Sequence, residues 1–271
     1  MKLHVVLTIA GSDPSGGAGI QADLKTIAAL GGYGMSVITA LTAQNTLGVE
    51  GIFEVPVDFI ERQFDALARD IPIDAAKTGM LVSPAIVRAV AGRIREHRIE
   101  SLLVDPVMIS KNGTALLDEE ARKVLVAELL PLAFIVTPNI PEAEFLAGEG
   151  IASIDDMKRA AKKMHGLGPR NVLVKGGHLG GEAVDVLYDG VQFRDFVSER
   201  IETRNTHGTG CTYGAAIATG VARGLDVPEA VEQAKRYMVT AIRFSLSLGA
   251  GQGPLDHMAA LLREKEGCEH L

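Results

Sequence analysis

Where two glycines bracket a threonine and a cysteine follows, an anion can be held with a thiol beside it. The run Asn205-Thr206-His207-Gly208-Thr209-Gly210-Cys211-Thr212 has that pattern and leads into an Ala/Gly-rich segment, Tyr213–Gly220. The small residues predict a helix that a neighbour approaches closely. A helix start leaves its first backbone N–H groups without partners, and the helix dipole favours negative charge there. The spacing therefore predicts that Gly208, Thr209 and Gly210 cradle a phosphoryl group in transfer, next to Cys211.

Other stretches carry polar chemistry. Gly11-Ser12-Asp13-Pro14-Ser15-Gly16-Gly17-Ala18-Gly19 lacks the third glycine of a dinucleotide fingerprint and its ribose-binding acid about 20 residues on, and no Gly-Lys-Ser/Thr of a Walker A loop follows. Its glycines, Gly11 first, instead let backbone approach a small planar ligand. Asp23, one turn into the next helix, has two readings: it faces that ligand, or it is a solvated first-turn acid favoured by the dipole. Gln44, within Thr42–Gly48, offers one acceptor and two donors, which suits a heterocycle with a ring nitrogen beside an amino group. A polar loop residue capping its own backbone is the alternative. Asn139 is a good N-cap and Pro141 suits a first helical turn, so Pro138–Glu144 has a purely structural account. Glu142, with help from Asp105, is equally suited to Mg²⁺, which takes one or two carboxylates plus waters and substrate phosphates. Lys175, at a strand end, offers an ammonium to phosphate.

These residues fall at the ends of strands. Apolar runs predict strands at Leu3–Ala10, Gly34–Thr42, Ala75–Thr78, Ser101–Val104, Phe134–Thr137 and Val172–Lys175. Between them, helical periodicity covers Ile20–Leu30, Val57–Arg69, Pro84–His97, Glu119–Leu129, Ile140–Ala147, Asp155–Leu167, Thr209–Arg223 and Pro228–Ser247. The alternation predicts an α/β fold with a mostly parallel sheet, and ligands collect at the carboxyl ends of such strands. Ala183–Tyr188 and Val191–Val197, joined by Asp189-Gly190, read as a hairpin extending one sheet edge antiparallel. With no linker or repeat, one domain over residues 1–271 is expected, with a polar tail from Arg263.

The 27 basic and 34 acidic residues give a net charge of −7, which argues against nucleic acid or an anionic membrane as the main partner. No apolar run is long enough to span a bilayer. The two cysteines, Cys211 and Cys268, suggest no disulfide framework, and a reducing cytoplasm is expected. Cys268 reads as inert; His207, which precedes the anion hole, and His178 have two readings, a phosphate contact or the commoner loop histidine bonding backbone. The first apolar run leads into Gly11-Ser12-Asp13, not a cleavage site, so it reads as a buried strand.

Taken together, Gly11–Lys25, Thr42–Gly48, Lys77-Thr78-Gly79-Met80, Asp105-Pro106-Val107-Met108, Thr137–Glu142, Val174–His178 and Thr206–Thr212 resemble the hydroxymethylpyrimidine/phosphomethylpyrimidine kinases of thiamine biosynthesis, of the ribokinase superfamily. The resemblance covers nearly the whole chain. It implies a three-layer α/β/α sandwich, a homodimer, and Mg·ATP-dependent phosphorylation of a pyrimidine's hydroxymethyl group and then of the monophosphate. It places Gln44 on the pyrimidine, with Asp23, Met80 and Val107 lining the pocket. Asn139 and Glu142 go to the Mg·ATP phosphates, Asp105 near the metal, Lys175 to the nucleotide, and Gly208, Thr209 and Gly210 to the anion hole.

Most sugar kinases of the superfamily carry an aspartate base where Cys211 stands. A thiol titrates at about 8.5 and a helix N-terminus lowers that value, so a thiolate able to accept a hydroxyl proton is expected. Phosphoryl transfer tolerates a weak base, since positioning and charge neutralisation do most of the catalysis. Pyridoxal/pyridoxine kinase on the same scaffold is the nearest rival reading, and a non-catalytic nucleotide-sensing protein the next.

Overall fold

A computed structural model describes residues 3–108, 116–177 and 182–262; His178, Cys268 and the tail from Arg263 lie outside the described residues. One nine-stranded sheet runs through the molecule in the order β3-β2-β1-β4-β5-β6-β7-β8-β9. Its parallel middle consists of β1 (Val5–Ser12), β2 (Tyr33–Gln44), β4 (Ala75–Thr78), β5 (Leu102–Val104), β6 (Ile135–Val136) and β7 (Asn171–Lys175). β8 (Ala183–Tyr188) and β9 (Phe193–Ser198) form the expected antiparallel hairpin.

The opposite edge is antiparallel too, which corrects the expectation of a single such edge: β3 (Val49–Glu54) folds back on β2. Its pattern is hidden because Gly51 interrupts it and Phe53 is exposed. The turn before it is built by Asn45, whose Oδ1 accepts from the N–H groups of Leu47 and Gly48. Backbone capping was the alternative reading for this loop, and it applies to Asn45 rather than Gln44.

Strand residues alternate between two cores, as a sheet covered on both faces requires. Leu7, Ile9, Ala76, Leu102, Val104, Val136, Val172 and Val174 meet α2 (Val57–Ala68), α3 (Pro84–Glu96), α4 (Glu119–Val124), α5 (Ile140–Ala147) and α6 (Ile154–His165). Val6, Ala75, Leu103, Ile135 and Leu173 meet α1 (Gly19–Ala29), α7 (Thr209–Ala222) and α8 (Val227–Arg243). The helix predicted over Glu119–Leu129 is α-helical only to Val124 and continues as a π-turn through Leu125–Leu129.

α7 is the helix that neighbours approach closely. A Cβ at Gly214 would lie 3.2 Å from both Leu103 and Lys77, and one at Gly220 would lie 3.0 Å from Ala230. Its first turn is tied to the C-terminal segment by Thr212 Oγ1, 3.0 Å from the buried His257 Nε2. Burial and the neighbouring Lys25 push His257 down to about 4. The unfolded chain then binds more protons than the folded one between the unperturbed value of 6.5 and about 4, so stability is lost as pH falls through that window. Urea unfolding should show up to ~3 kcal/mol less stability at pH 4 than at pH 7 from this residue. His257→Gln should reduce the pH dependence.

The sheet's topology fixes where a ligand goes. From β1 the chain moves to β2 and β3 on one side, then returns to β4 on the other. Such a switch point leaves a crevice outside the carboxyl ends of β1 and β4.

Candidate active site

The crevice is floored by backbone. β1 is irregular between Ala10 and Ser12, and a Cβ at Gly11 would strike Met80 Cε at 2.5 Å, so the glycine is needed for Met80 to lie across the strand end. Asp13 then organises the loop. Its carboxylate accepts from Ser15 N, Ser15 Oγ and Ala18 N, each at 2.9 Å, and from His207 Nε2 at 2.7 Å. Burial alone would raise the Asp13 carboxyl, but the bonds from His207 and Ser15 hold it below its usual value. This bond pins the loop of Gly208 to the loop after β1, across 194 residues of sequence. His207 is therefore held by a carboxylate, not by backbone as its commoner reading has it.

Gly208 caps α7 in the left-handed region, with φ 83°. Thr209 N and Thr212 N bond back to Thr206 and Gly208, while the N–H groups of Gly210 and Cys211 have no acceptor among the described residues. The glycine-lined donors expected from the sequence are thus present and open onto a cavity of about 190 Å³. Gln44, Gly11, Met80, Val107, Asp105, Asn139, Glu142 and Lys175 line the same cavity with Gly208, Thr209, Gly210 and Cys211.

Asp23 does not line it. Its carboxylate is wholly buried under the site, 2.8 and 2.9 Å from Lys77 Nζ and 2.5 Å from Thr8 Oγ1. Both sequence readings of Asp23, ligand contact and solvated acid, give way to a buried ion pair. Lys77 enters the sequence reading only within Lys77-Thr78-Gly79-Met80 and without a role, because a lysine inside a short strand carries no signal of its partner.

Cys211 also departs from expectation. Burial raises its thiol, Lys77 and the Gly19 N–H lower it, and Asp23 and Asp105 raise it again; the result is about 11. The free thiol, not the thiolate, is the resting form, because burial and the nearby acids outweigh what favours the anion.

Asn139 and Glu142 close a capping box on α5: Asn139 Oδ1 accepts from Glu142 N and Glu142 Oε2 from Asn139 N, both at 2.9 Å. The structural account is therefore correct, and it also aims Glu142 at the cavity. Lys175 Nζ donates to Asp105 Oδ1 at 2.9 Å. Burial lifts Glu142 to about 7; Lys175 and the Asn139 and Met108 amides oppose that, and Asp105 adds to it. Two buried carboxylates thus share one ammonium and retain excess negative charge. No cluster of three metal-ligating side chains occurs among the described residues. A hard oxygen-only pair with excess negative charge fits Mg²⁺, completed by waters and phosphates.

A second cavity, of about 670 Å³, lies between α5, the β8–β9 hairpin and α8. Its wall includes Asp185, which accepts from Tyr213 Oη at 3.0 Å, Lys235 Nζ at 2.7 Å and Gly176 N at 3.0 Å. Asn139, Glu142, Lys175, Thr209 and Gly210 line both cavities. They form a neck between two chambers.

The model of the phosphomethylpyrimidine kinase family matches residues 13–256. The chain belongs to that family. Within it, a hydroxymethylpyrimidine/phosphomethylpyrimidine kinase of Bacillus subtilis is 44% identical over 261 residues, 96% of each chain. A thiamine biosynthesis bifunctional protein of Geobacter sulfurreducens is 55% identical over 256 residues, 94% of this chain, which spans 52% of that longer relative. Among solved structures, the ADP complex of Bacillus subtilis pyridoxal kinase superposes with TM-score 0.90 at 41% identity, covering 96% of this chain and 100% of that one. The phosphomethylpyrimidine kinase of Clostridium difficile gives 0.80 at 48%, covering 89% and 100%. The layered α/β architecture of these kinases is the ribokinase-like one implied by the resemblance.

Proposed function

We propose that this kinase moves the γ-phosphoryl of ATP onto the hydroxymethyl group of 4-amino-5-hydroxymethyl-2-methylpyrimidine, and then onto the resulting monophosphate. The observation that carries this is the neck: two cavities meet at Thr209, Gly210, Lys175, Asn139 and Glu142. A donor in the larger chamber and an acceptor in the smaller one would face each other across the open amides of Gly210 and Cys211. Incubation with Mg·ATP and the pyrimidine alcohol should yield mono- and diphosphate by mass; recovery of unreacted alcohol would reject the reading. Pyridoxal in the same panel tests the rival suggested by the solved neighbours.

The residues divide the work. Gln44 orients the ring, with Gly11, Met80 and Val107 closing round it. The Gly210 and Cys211 amides neutralise charge developing on the moving phosphoryl, where fixed donors act without reorganising. Lys175 holds a phosphate oxygen. Asp105 and Glu142 would hold Mg²⁺, which supplies charge neutralisation for the ATP phosphates. Replacing Asp105 by asparagine should therefore raise the Mg²⁺ concentration for half-maximal rate by about tenfold or more, read by titrating Mg²⁺ at fixed ATP.

Cys211 serves the alcohol step only, since the second acceptor is already ionised. With a thiol near 11, the base form grows as pH rises. The first phosphorylation should thus keep accelerating through pH 9 while the second levels off. Cys211→Ala should abolish that rise and slow the first step by about 100-fold, leaving the second within about threefold. Equal losses in both steps would remove the cysteine from proton transfer.

Exposed Leu41, Leu47 and Phe53 on the β2–β3 ribbon supply an apolar face suited to a second copy, and a homodimer is our reading. Sedimentation tests it. One sheet throughout and reduced thiol chemistry support a single domain working in the cytoplasm. No described helix is long and apolar enough to cross a membrane.

A further inference from the structure

The direction of one amide is set by the protons at its two ends. Gln44 lies between His207 and Thr42, with one amide atom 3.4 Å from His207 Nε2 and the other 3.1 Å from Thr42 Oγ1. The same histidine nitrogen is 2.7 Å from Asp13 Oδ2. An ionised carboxylate only accepts, and Asp13 is held ionised by its donors. His207 Nε2 therefore carries a hydrogen, whether the ring is neutral or charged. A nitrogen bearing hydrogen cannot accept from an amide N–H, so the Gln44 atom facing it must be the carbonyl Oε1.

The other end gives the same answer independently. Thr42 Oγ1 is 3.0 Å from the carbonyl oxygen of Ser12, which can only accept. The hydroxyl's one hydrogen goes there, and lone pairs alone are left for Gln44. The Gln44 atom facing Thr42 must be Nε2. With Nε2 set towards His207 and Oε1 towards Thr42, donor would oppose donor at one end, and Thr42 would need a second hydrogen at the other. A half-turn of the amide, which barely alters its shape, lets Nε2 donate to Thr42 and turns an acceptor, not a donor, towards the His207 N–H that Asp13 already takes.

We propose that Asp13, His207 and Thr42 are specificity-determining positioning residues that pin the Gln44 amide with its acceptor on the His207 side and its donor on the Thr42 side. This rests on the reading that Gln44 faces the ring. The pocket then offers one fixed order of acceptor and donor. An aminopyrimidine, with a ring nitrogen that accepts beside an amino group that donates, matches that order. The 4-oxo analogue, with a ring N–H beside a carbonyl, presents the inverse and would leave both pairs mismatched. A site whose polar groups cannot turn over rejects such a ligand strongly.

The test compares kcat and KM for the aminopyrimidine alcohol and its 4-oxo analogue in the wild type, Thr42→Val and Thr42→Ser. Valine removes the hydroxyl and suits a strand, leaving the amide nitrogen without its acceptor and the amide held at the His207 end alone. We expect Thr42→Val to raise KM for the amino substrate about tenfold, and to cut the amino/oxo preference by at least about tenfold. Thr42→Ser, keeping the hydroxyl, should restore both. An unchanged preference in Thr42→Val would overturn the pinning while leaving the kinase reading intact. Should the wild type phosphorylate neither ring, the proposed function fails first. The preference is then read from calorimetric Kd values, and equal ratios in all three proteins overturn the pinning too.

Discussion

Lys77→Met is expected to cost about 3–5 kcal/mol of folding stability, the range for removing one partner of a buried ion pair. The lysine and Asp23 are both fully buried on the α1/α7 side of the sheet, 2.8 Å apart at the closest. Burial disfavours the charge on Lys77, but the Asp23 carboxylate, with Asp105 beyond it, holds it well above its ordinary value. In the variant, Asp23 would keep only the Thr8 hydroxyl and would have to take up a proton or admit water. The paired change Asp23→Leu with Lys77→Met removes both charges and should recover most of the loss. Urea unfolding of the wild type, the single variants and the double variant measures this. A single-variant loss under about 1 kcal/mol would show that the carboxylate finds other partners. The pair also carries the site, because Gly79 and Gly214 leave room for the Lys77 side chain: a Cβ on either would lie 3.4 or 3.2 Å from it. Loss of the ammonium should therefore reduce turnover in the protein that remains folded.

The position of that pair explains where sequence reasoning succeeds and where it stops. Period-two and period-3.6 patterns report what each segment buries, so the strands that feed the site and the helix at Thr209 were legible. Residues that act through their own backbone neighbours were legible too: Asn139 caps the helix it precedes, and Gly208 opens the helix it was expected to open. Asp23 was misread because its partner lies 54 residues away and reaches it only once β1 and β4 are adjacent. The Cys211 thiol was misjudged for a related reason. A helix start is visible in sequence, but the acids Asp23 and Asp105 that oppose ionisation arrive from α1 and β5. The Asp13–His207 bond joins two loops that each looked self-contained. Pairings made by tertiary structure leave no local periodicity to read, and the electrostatics of this site consist largely of such pairings.

Gly208→Ala should lower kcat by about 100- to 1000-fold, the loss measured elsewhere when a preorganised anion-hole donor is removed. Two separable penalties meet at this residue. Its φ of 83° is a left-handed conformation, which costs a residue with a Cβ about 1–2 kcal/mol. The added Cβ would also lie 1.8 Å from the carbonyl oxygen of Gly17, a backbone atom that cannot swing aside. Relief requires the α7 start and the Gly16–Gly19 loop to part, and the free amides of Gly210 and Cys211 would lose their aim at the neck. Gly224 separates the two effects. It has φ 89° at the far end of α7, and a Cβ there would meet nothing within 4 Å. Gly224→Ala should pay the conformational penalty alone, losing about 1–2 kcal/mol in urea with wild-type kcat. Comparable kcat in the two folded variants would mean that the phosphoryl group is steadied elsewhere. A large kcat loss confined to Gly208→Ala, with KM for ATP changed much less, would tie the amides to the transition state and not to nucleotide binding.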